Sequence, residues 1–174
     1  MFLEIPEGSH PIMHVWGDLV PGIGVAASKF SQAVYEKTTL ELDTFEAARL
    51  RTAQINGCLF CNDWRTERDG VTVGADFAGR VEHWSTPQST EGEGGLSVRA
   101  RLAAEYAERY ALDHHGIDDE FWSRLRDQFS DAELVELSMC IGSWLAFGRL
   151  NRVFGLDAAC VLPASAPAHT SVGD

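Results

Sequence analysis

The sequence predicts an all-α fold, with about six to eight helices in a single domain. Three observations support this prediction. Several segments pair a helix-capping residue with a run of strong helix formers, and no segment shows the alternating apolar pattern of a strand. In addition, residues 134–147 are apolar on nearly every face of a helix. Such a helix lies at the centre of a bundle or is covered by another subunit.

The composition divides the chain into three parts. Residues 1–21 contain three prolines and two glycines, which predicts an extended amino-terminal arm. Residues 22–157 are expected to form the helical domain. Residues 158–174 are rich in Ala, Ser and Pro, so this tail is predicted to be flexible.

The first half of the domain is expected to contain four helices. Apolar spacing predicts the first of them, and a capping pattern at Asp43 with Glu46 three residues later predicts the start of the second. Asn56-Gly57 interrupts the second helix, and a third helix continues from that break. The predicted ranges are residues 22–40, 43–55, 58–69 and 75–84.

The second half begins after a loop at residues 85–95, which is rich in Gly, Ser and Pro. Ser97 can cap the next helix, and acidic residues stand in the first turn of the one that follows. Ser130 and Glu133 form a capping box before the most apolar helix. The predicted ranges are residues 97–114 and 118–129, and a last helix from 130 to 152 or 154.

Charge and hydropathy exclude several classes of function. The formal net charge is −12, from 14 Lys plus Arg against 26 Asp plus Glu, and such a surface repels nucleic acids and anionic membranes. No stretch approaches the roughly 20 apolar residues that a membrane helix needs. The amino terminus has neither the basic region nor the apolar core of a signal peptide, which predicts a cytoplasmic protein.

The candidate chemistry lies in the stretch Asn56-Gly57-Cys58-Leu59-Phe60-Cys61. If a helix starts after Gly57, both sulfurs lie in its first turn, where free N–H groups and the helix dipole favour thiolates. Cys58 and Cys61 could therefore cycle between dithiol and disulfide. Two purely structural cysteines remain the alternative. A zinc site is disfavoured because Cys140 and Cys160 are twenty residues apart and no histidine pair follows the motif. A thioredoxin-like fold is disfavoured because the sequence predicts no strands.

Two charged residues could assist the cysteines. Glu46 lies about three helical turns before Cys58, where its carboxylate could accept a thiol proton; its alternative role is that of a helix cap. Arg65 lies one turn after Cys61, where it could stabilise a thiolate or pair with nearby carboxylates on a solvated face. Cys140 is expected to be an inert buried thiol, and the histidines His83, His114 and His115 to be structural.

The motif resembles a known family. The run from Glu46 to Cys61, with its "QINGC" segment and CxxC pair, is similar to the alkylhydroperoxidase D-like branch of the carboxymuconolactone decarboxylase superfamily. Weaker similarity extends over most of residues 20–157. The segments that carry it are His83-Trp84-Ser85-Thr86-Pro87, residues 102–111, residues 129–137 and Asn151-Arg152.

The resemblance implies a helical fold that assembles into a homo-oligomer, commonly a trimer or hexamer. It also implies that Cys61 attacks a hydroperoxide and passes through a sulfenic acid, that Cys58 resolves this to a disulfide, and that Glu46 transfers protons. An external dithiol would then reduce the pair; no cofactor or metal is expected. The family places a histidine four residues after the second cysteine, where this chain has Arg65, which cannot shuttle protons at neutral pH.

These observations lead to one principal hypothesis and two alternatives. The principal hypothesis is a thiol-dependent oxidoreductase, of peroxidase type, that works through Cys58, Cys61 and Glu46. The first alternative is a lactone enzyme of the carboxymuconolactone decarboxylase kind, which would use the same fold without thiol chemistry. The second is a non-catalytic binding or assembly protein with a vestigial CxxC.

Overall fold

The computed structural model describes residues 2–156 of the chain. This part contains eight α-helices and no β-strand, so the predicted all-α class and helix number are confirmed. The helices are α1 Pro11–Met13, α2 Pro21–Lys37, α3 Leu42–Asn56, α4 Leu59–Asp63, α5 Phe77–Glu82, α6 Val98–Leu112, α7 Asp119–Arg126 and α8 Asp131–Val153. None of them is both long enough and apolar enough to cross a membrane. The tail at 158–174, including Cys160, lies outside the described residues.

Helix α3 is the centre of the fold. Every side chain from Thr44 to Leu50 is buried, and α3 separates two apolar clusters. Phe45 packs into the larger cluster, which is formed mainly by α6, α7 and α8. Leu50 packs into the smaller one, which includes Phe77 and Val81 of α5. The CxxC motif follows α3 directly, so it is anchored to the most buried element of the described chain.

Helix α8 packs on α3 through one face only. Leu137 and Ile141 are completely buried, whereas Val135 is 61% exposed and Met139 is 56% exposed. Although α8 is apolar on nearly every face, it therefore does not lie at the centre of the bundle. Its capping box forms as predicted: the Ser130 hydroxyl accepts from the Glu133 N–H, and the Glu133 carboxylate accepts from the Ser130 N–H.

The composition of the amino-terminal arm predicted an extended segment, but part of the arm is helical. Pro11 begins α1, and the chain continues as a π-helical turn over His14–Asp18. Proline is tolerated at the first helical position because its missing N–H has no partner there in any case. The turn places Trp16 against Phe147 of α8, with ring centroids 4.9 Å apart. The boundary of this arm at residue 21 stays a prediction.

The helix that carries the CxxC motif is shorter than predicted. It ends at Asp63 instead of continuing to Asp69, because Trp64 adopts an extended conformation with ψ of 148°. The chain then reverses at Asp69 and Gly70, both of which have positive φ. Helix α5 is likewise shorter than the predicted 75–84.

Candidate functional site

The two motif cysteines form a disulfide at the start of α4. Gly57 ends α3 in the left-handed conformation, with φ of 67°, and turns the chain into the motif. Cys58 is the N-cap of α4, and its sulfur accepts a hydrogen bond from the Cys61 N–H at 3.2 Å. The Cα atoms of the two cysteines are 5.3 Å apart, which lies within the normal range for a disulfide. The predicted pairing of these sulfurs therefore forms.

An inner cavity of about 120 Å³ lies beside the disulfide, between the end of α3 and helix α8. Both cysteines line it. Three buried polar atoms of its wall residues, Asn56 Oδ1, Ser143 Oγ and Trp144 Nε1, have no hydrogen-bond partner within the described chain. Buried polar atoms are normally satisfied by protein or by ordered water, so this cavity suits small polar occupants. Its wall comprises Ser31, Tyr35, Arg49, Ala53, Asn56, Cys58, Cys61, Ser143, Trp144, Phe147, Gly148 and Asn151.

An outer cavity of about 520 Å³ lies on the other side of Cys61, and it is more open to solvent. Phe60 and Trp64 give it apolar walls, while Glu36 and Glu67 stand at its exposed edge. Cys58 does not line this cavity. Its wall comprises Gln32, Tyr35, Glu36, Arg49, Phe60, Cys61, Trp64, Thr66 and Glu67.

Three residues line both cavities: Tyr35, Arg49 and Cys61. Cys61 is partly exposed, whereas Cys58 is 8% exposed. Burial raises the pKa of Tyr35 to about 12, and the positive charge of Arg49 opposes that rise. The Tyr35 hydroxyl stays protonated at physiological pH, and it belongs to a residue that lines the same two cavities as Cys61.

Arg49 fastens the CxxC segment to α3. Its Nε and Nη2 atoms donate to the two carboxylate oxygens of Glu46 at 2.5 and 2.9 Å. The same guanidinium donates to the main-chain carbonyls of Cys61 at 2.6 Å and Trp64 at 2.7 Å, and it lies over the Trp64 ring. A planar guanidinium can make such a fork of bonds, which an ammonium cannot. The position of α4 thus depends on a buried ion pair.

Glu46 is completely buried and does not line either cavity. Both of its oxygens are bonded to Arg49, and Oε1 also accepts from the Thr66 hydroxyl at 2.6 Å. The expected alternative role as a helix cap is wrong, because Glu41 is the N-cap of α3. Proton transfer by Glu46 stays a prediction, and it would require the carboxylate to move away from these donors.

Arg65 also lies outside the walls of both cavities. Its guanidinium donates to the main-chain carbonyls of Asn62 and Trp64 instead of to the neighbouring carboxylates. The side chain is partly buried, and the expected ion pair on a solvated face is not observed in the described chain. Its side chain supports the end of α4.

The remaining candidate residues lie away from the disulfide. Cys140 is 2% exposed in the larger apolar cluster, and burial raises the pKa of its thiol to about 12; its expected burial is confirmed, and its inertness stays a prediction. His83, His114 and His115 line neither cavity. Among residues 2–156, no cluster of His, Cys, Asp and Glu is suited to hold a metal ion.

Sequence reasoning missed Arg49 and Tyr35. Arg49 was visible as a residue one turn after Glu46 in the same helix, a spacing that allows an ion pair. Its burial could not be read from α3, whose apolar pattern is weak. Tyr35 comes from α2, and no local pattern places that helix against the motif.

Comparison with a solved structure identifies the fold. A protein from Agrobacterium tumefaciens superimposes with a TM-score of 0.66 and 22% sequence identity, over 80% of this chain and 92% of that one. It is described as a protein of unknown function and named as a candidate antioxidant defence protein AhpD. The predicted AhpD-like fold is thereby confirmed. Comparison with protein-family models and with curated protein sequences gives no significant match.

Proposed function

We propose that this protein is a thiol-dependent oxidoreductase that reduces hydroperoxides through Cys58 and Cys61. The observation that carries the proposal is the position of the disulfide, between two cavities that both reach Cys61. A purely structural disulfide needs no approach for small molecules, whereas a redox disulfide must meet an oxidant and a reductant. The protein from Agrobacterium tumefaciens that shares this fold is named as a candidate antioxidant defence protein, which also supports a redox function.

The proposed oxidation has two steps. The Cys61 thiolate attacks the terminal oxygen of a hydroperoxide ROOH, so an S–O bond forms, the O–O bond breaks and RO⁻ leaves as the alcohol after it takes up a proton. Cys58 then attacks the sulfur of the sulfenic acid. The S–S bond forms and the hydroxyl group leaves with the Cys58 proton as water. Two thiols and one hydroperoxide thus give one disulfide, one alcohol and one water.

The burial of the two sulfurs supports this division of roles. Cys61 lines both cavities and is partly exposed, so it is the sulfur that a hydroperoxide meets. Cys58 is more buried, but as N-cap of α4 it lies within bonding distance of Cys61. A resolving thiol needs only that second property.

Reduction of the disulfide requires an external dithiol. One thiolate of that dithiol attacks a sulfur of the pair and forms a mixed disulfide, which the second thiol resolves. The two exchanges together move two electrons from the reductant to this protein. The outer cavity, which is wider and more open, offers the reductant an approach to Cys61.

A peroxide-consumption assay with dithiothreitol as reductant tests the proposal. We expect wild-type protein to turn over, and Cys61→Ser to lose turnover completely. Arg65→His would place a titratable ring at the position where the resembling family has its histidine, and a gain of activity would indicate that Arg65 limits proton transfer. The proposal would be contradicted if the two thiols of the reduced protein react slowly with thiol reagents and hydroperoxide does not oxidise them.

A non-catalytic role for the CxxC is the second candidate. It is favoured by the engagement of Glu46 with Arg49 and by the position of Arg65 outside both cavities, because neither family position offers a free proton carrier. Under this candidate, oxidation of the cysteines would change the melting temperature, but no hydroperoxide or disulfide substrate would turn over.

We further propose that the protein forms a homo-oligomer in the cytoplasm. Large apolar side chains are exposed on α2 and α8, among them Ile23, Val135 and Met139. A second copy that covers these side chains would bury them, and burial of apolar surface is favourable by about 25 cal/mol per Å². Light scattering on wild type and on a Val135→Lys, Met139→Lys variant tests this assembly; a wild-type monomer would contradict it.

A further inference from the structure

We propose that the Tyr35 hydroxyl is the proton donor to the oxygen that leaves when Cys61 attacks a hydroperoxide. This inference rests on the proposed function and names a catalytic residue for it. The resembling family uses its glutamate and histidine positions for proton transfer. Here the corresponding residues, Glu46 and Arg65, both lie outside the two cavities, so a group in the cavity walls is better placed to give the leaving oxygen its proton.

The overlap of the two cavities identifies Tyr35. The inner and outer cavities have only three wall residues in common, which are Tyr35, Arg49 and Cys61. A molecule bound against Cys61 in either cavity therefore shares that cavity with Tyr35. The ring itself makes edge contacts with Phe45 and Trp64, at centroid distances of 5.7 and 5.5 Å, and a tilted contact with Trp144 at 6.4 Å.

The charged groups around Cys61 are poorer proton donors. The carboxylates of Glu36 and Glu67 line only the outer cavity and are acceptors when ionised. Arg49 already donates to Glu46 and to two main-chain carbonyls, and a guanidinium does not give up its proton. Tyr35 is a phenol, which is protonated at physiological pH even at its ordinary pKa of about 10, and burial raises that pKa to about 12.

The proton balance of the step is complete. Cys61 has released its proton to solvent before the attack. As the O–O bond breaks, the hydroxyl proton of Tyr35 passes to RO⁻, which leaves as ROH. The transient phenolate lies near the Arg49 guanidinium, whose charge favours it, and regains a proton from solvent. An alkoxide is a stronger base than a phenolate, so the transfer is downhill.

The choice of oxidant tests this step directly. An alkyl hydroperoxide such as tert-butyl hydroperoxide expels an alkoxide, which needs a proton. Peracetic acid expels acetate, which is stable without one. A general acid matters only for the first of these. Tyr35→Phe keeps the ring and its packing, and it removes the hydroxyl alone.

The experiment measures the rate at which reduced protein loses its thiols to each oxidant. We expect Tyr35→Phe to slow oxidation by tert-butyl hydroperoxide by about 100-fold, the lower end of general-acid contributions. Oxidation by peracetic acid and alkylation of Cys61 by iodoacetamide should change by less than about threefold. Tyr110→Phe is the matched control, because Tyr110 lines neither cavity at the disulfide; it should leave all three rates unchanged.

The outcomes separate a failure of the Tyr35 proposal from a failure of the proposed function. If Tyr35→Phe slows both oxidants equally, or slows neither, the acid role is overturned while the proposed function stands. If wild-type protein reacts with iodoacetamide but with neither oxidant, both the function and this inference are overturned. Circular dichroism and the alkylation rate show whether the variant has folded, so a loss of structure is not mistaken for a loss of the acid.

Discussion

Replacing Arg49 by methionine is expected to lower the free energy of unfolding by about 3–5 kcal/mol, the usual result of breaking a buried ion pair from one side. The side chain of Glu46 is fully buried and that of Arg49 is 3% exposed, so solvent cannot replace the lost partner. After the substitution, Glu46 keeps only the hydrogen bond from Thr66. The main-chain carbonyl of Cys61 loses its bond from Arg49 as well, and that of Trp64 keeps only the bond from Arg65.

The expected loss is measured by urea unfolding at pH 7, with the disulfide intact in every variant. Glu108→Gln is the matched control, because Glu108 pairs with Arg51 in a half-exposed ion pair; we expect it to change stability by about 1 kcal/mol or less. The double variant Glu46→Gln, Arg49→Met should recover part of the loss, since it no longer buries an unpaired charge. An Arg49→Met variant as stable as the control would refute the view that this ion pair anchors α4.

Three further predictions concern single features of the fold. Gly57→Ala should destabilise by about 1–2 kcal/mol in urea unfolding, because φ of 67° is strained for a residue with a Cβ, and Gly57→Asn should be milder. Hydrogen bonds from Ser130 and Arg99 hold the pKa of Glu133 at about 2, so its stabilisation is complete above pH 4.5 and is lost as the pH falls towards 2; Glu133→Gln should flatten this acid-side loss. The Cys140 thiol should not react with iodoacetamide in native protein near pH 7, and rapid labelling detected by mass spectrometry would contradict its burial.

Helices with strong end signals could be predicted from the sequence. Ser97 and Ser130 cap α6 and α8 as expected, because a capping hydroxyl acts on N–H groups within three residues. The pairing of Cys58 with Cys61 was predictable for the same reason, since it depends on one helical turn. Local signals of this kind do not need the rest of the fold.

Features that depend on distant contacts could not be predicted. Helix α4 ends early at the extended Trp64, where Arg49 of α3 binds the carbonyls of Cys61 and Trp64, and the sequence around Trp64 carries no sign of this. The helical turn at Pro11–Asp18 is held partly by Trp16, which packs on α8 about 130 residues away. The cavities at Cys61 likewise form where α2, α3, α4 and α8 meet, so Tyr35 gave no local signal.

The single-turnover stoichiometry of hydroperoxide and thiols tests the central claim most directly. Reduced Cys140→Ser, Cys160→Ser protein, which retains only the motif cysteines, is mixed with a limiting amount of hydrogen peroxide. We predict that each peroxide consumed removes two thiols, that mass spectrometry finds the Cys58–Cys61 disulfide, and that Cys58→Ser stops at the sulfenic acid of Cys61. Consumption of no peroxide, or thiols that persist while peroxide is present, would contradict a redox function for this pair.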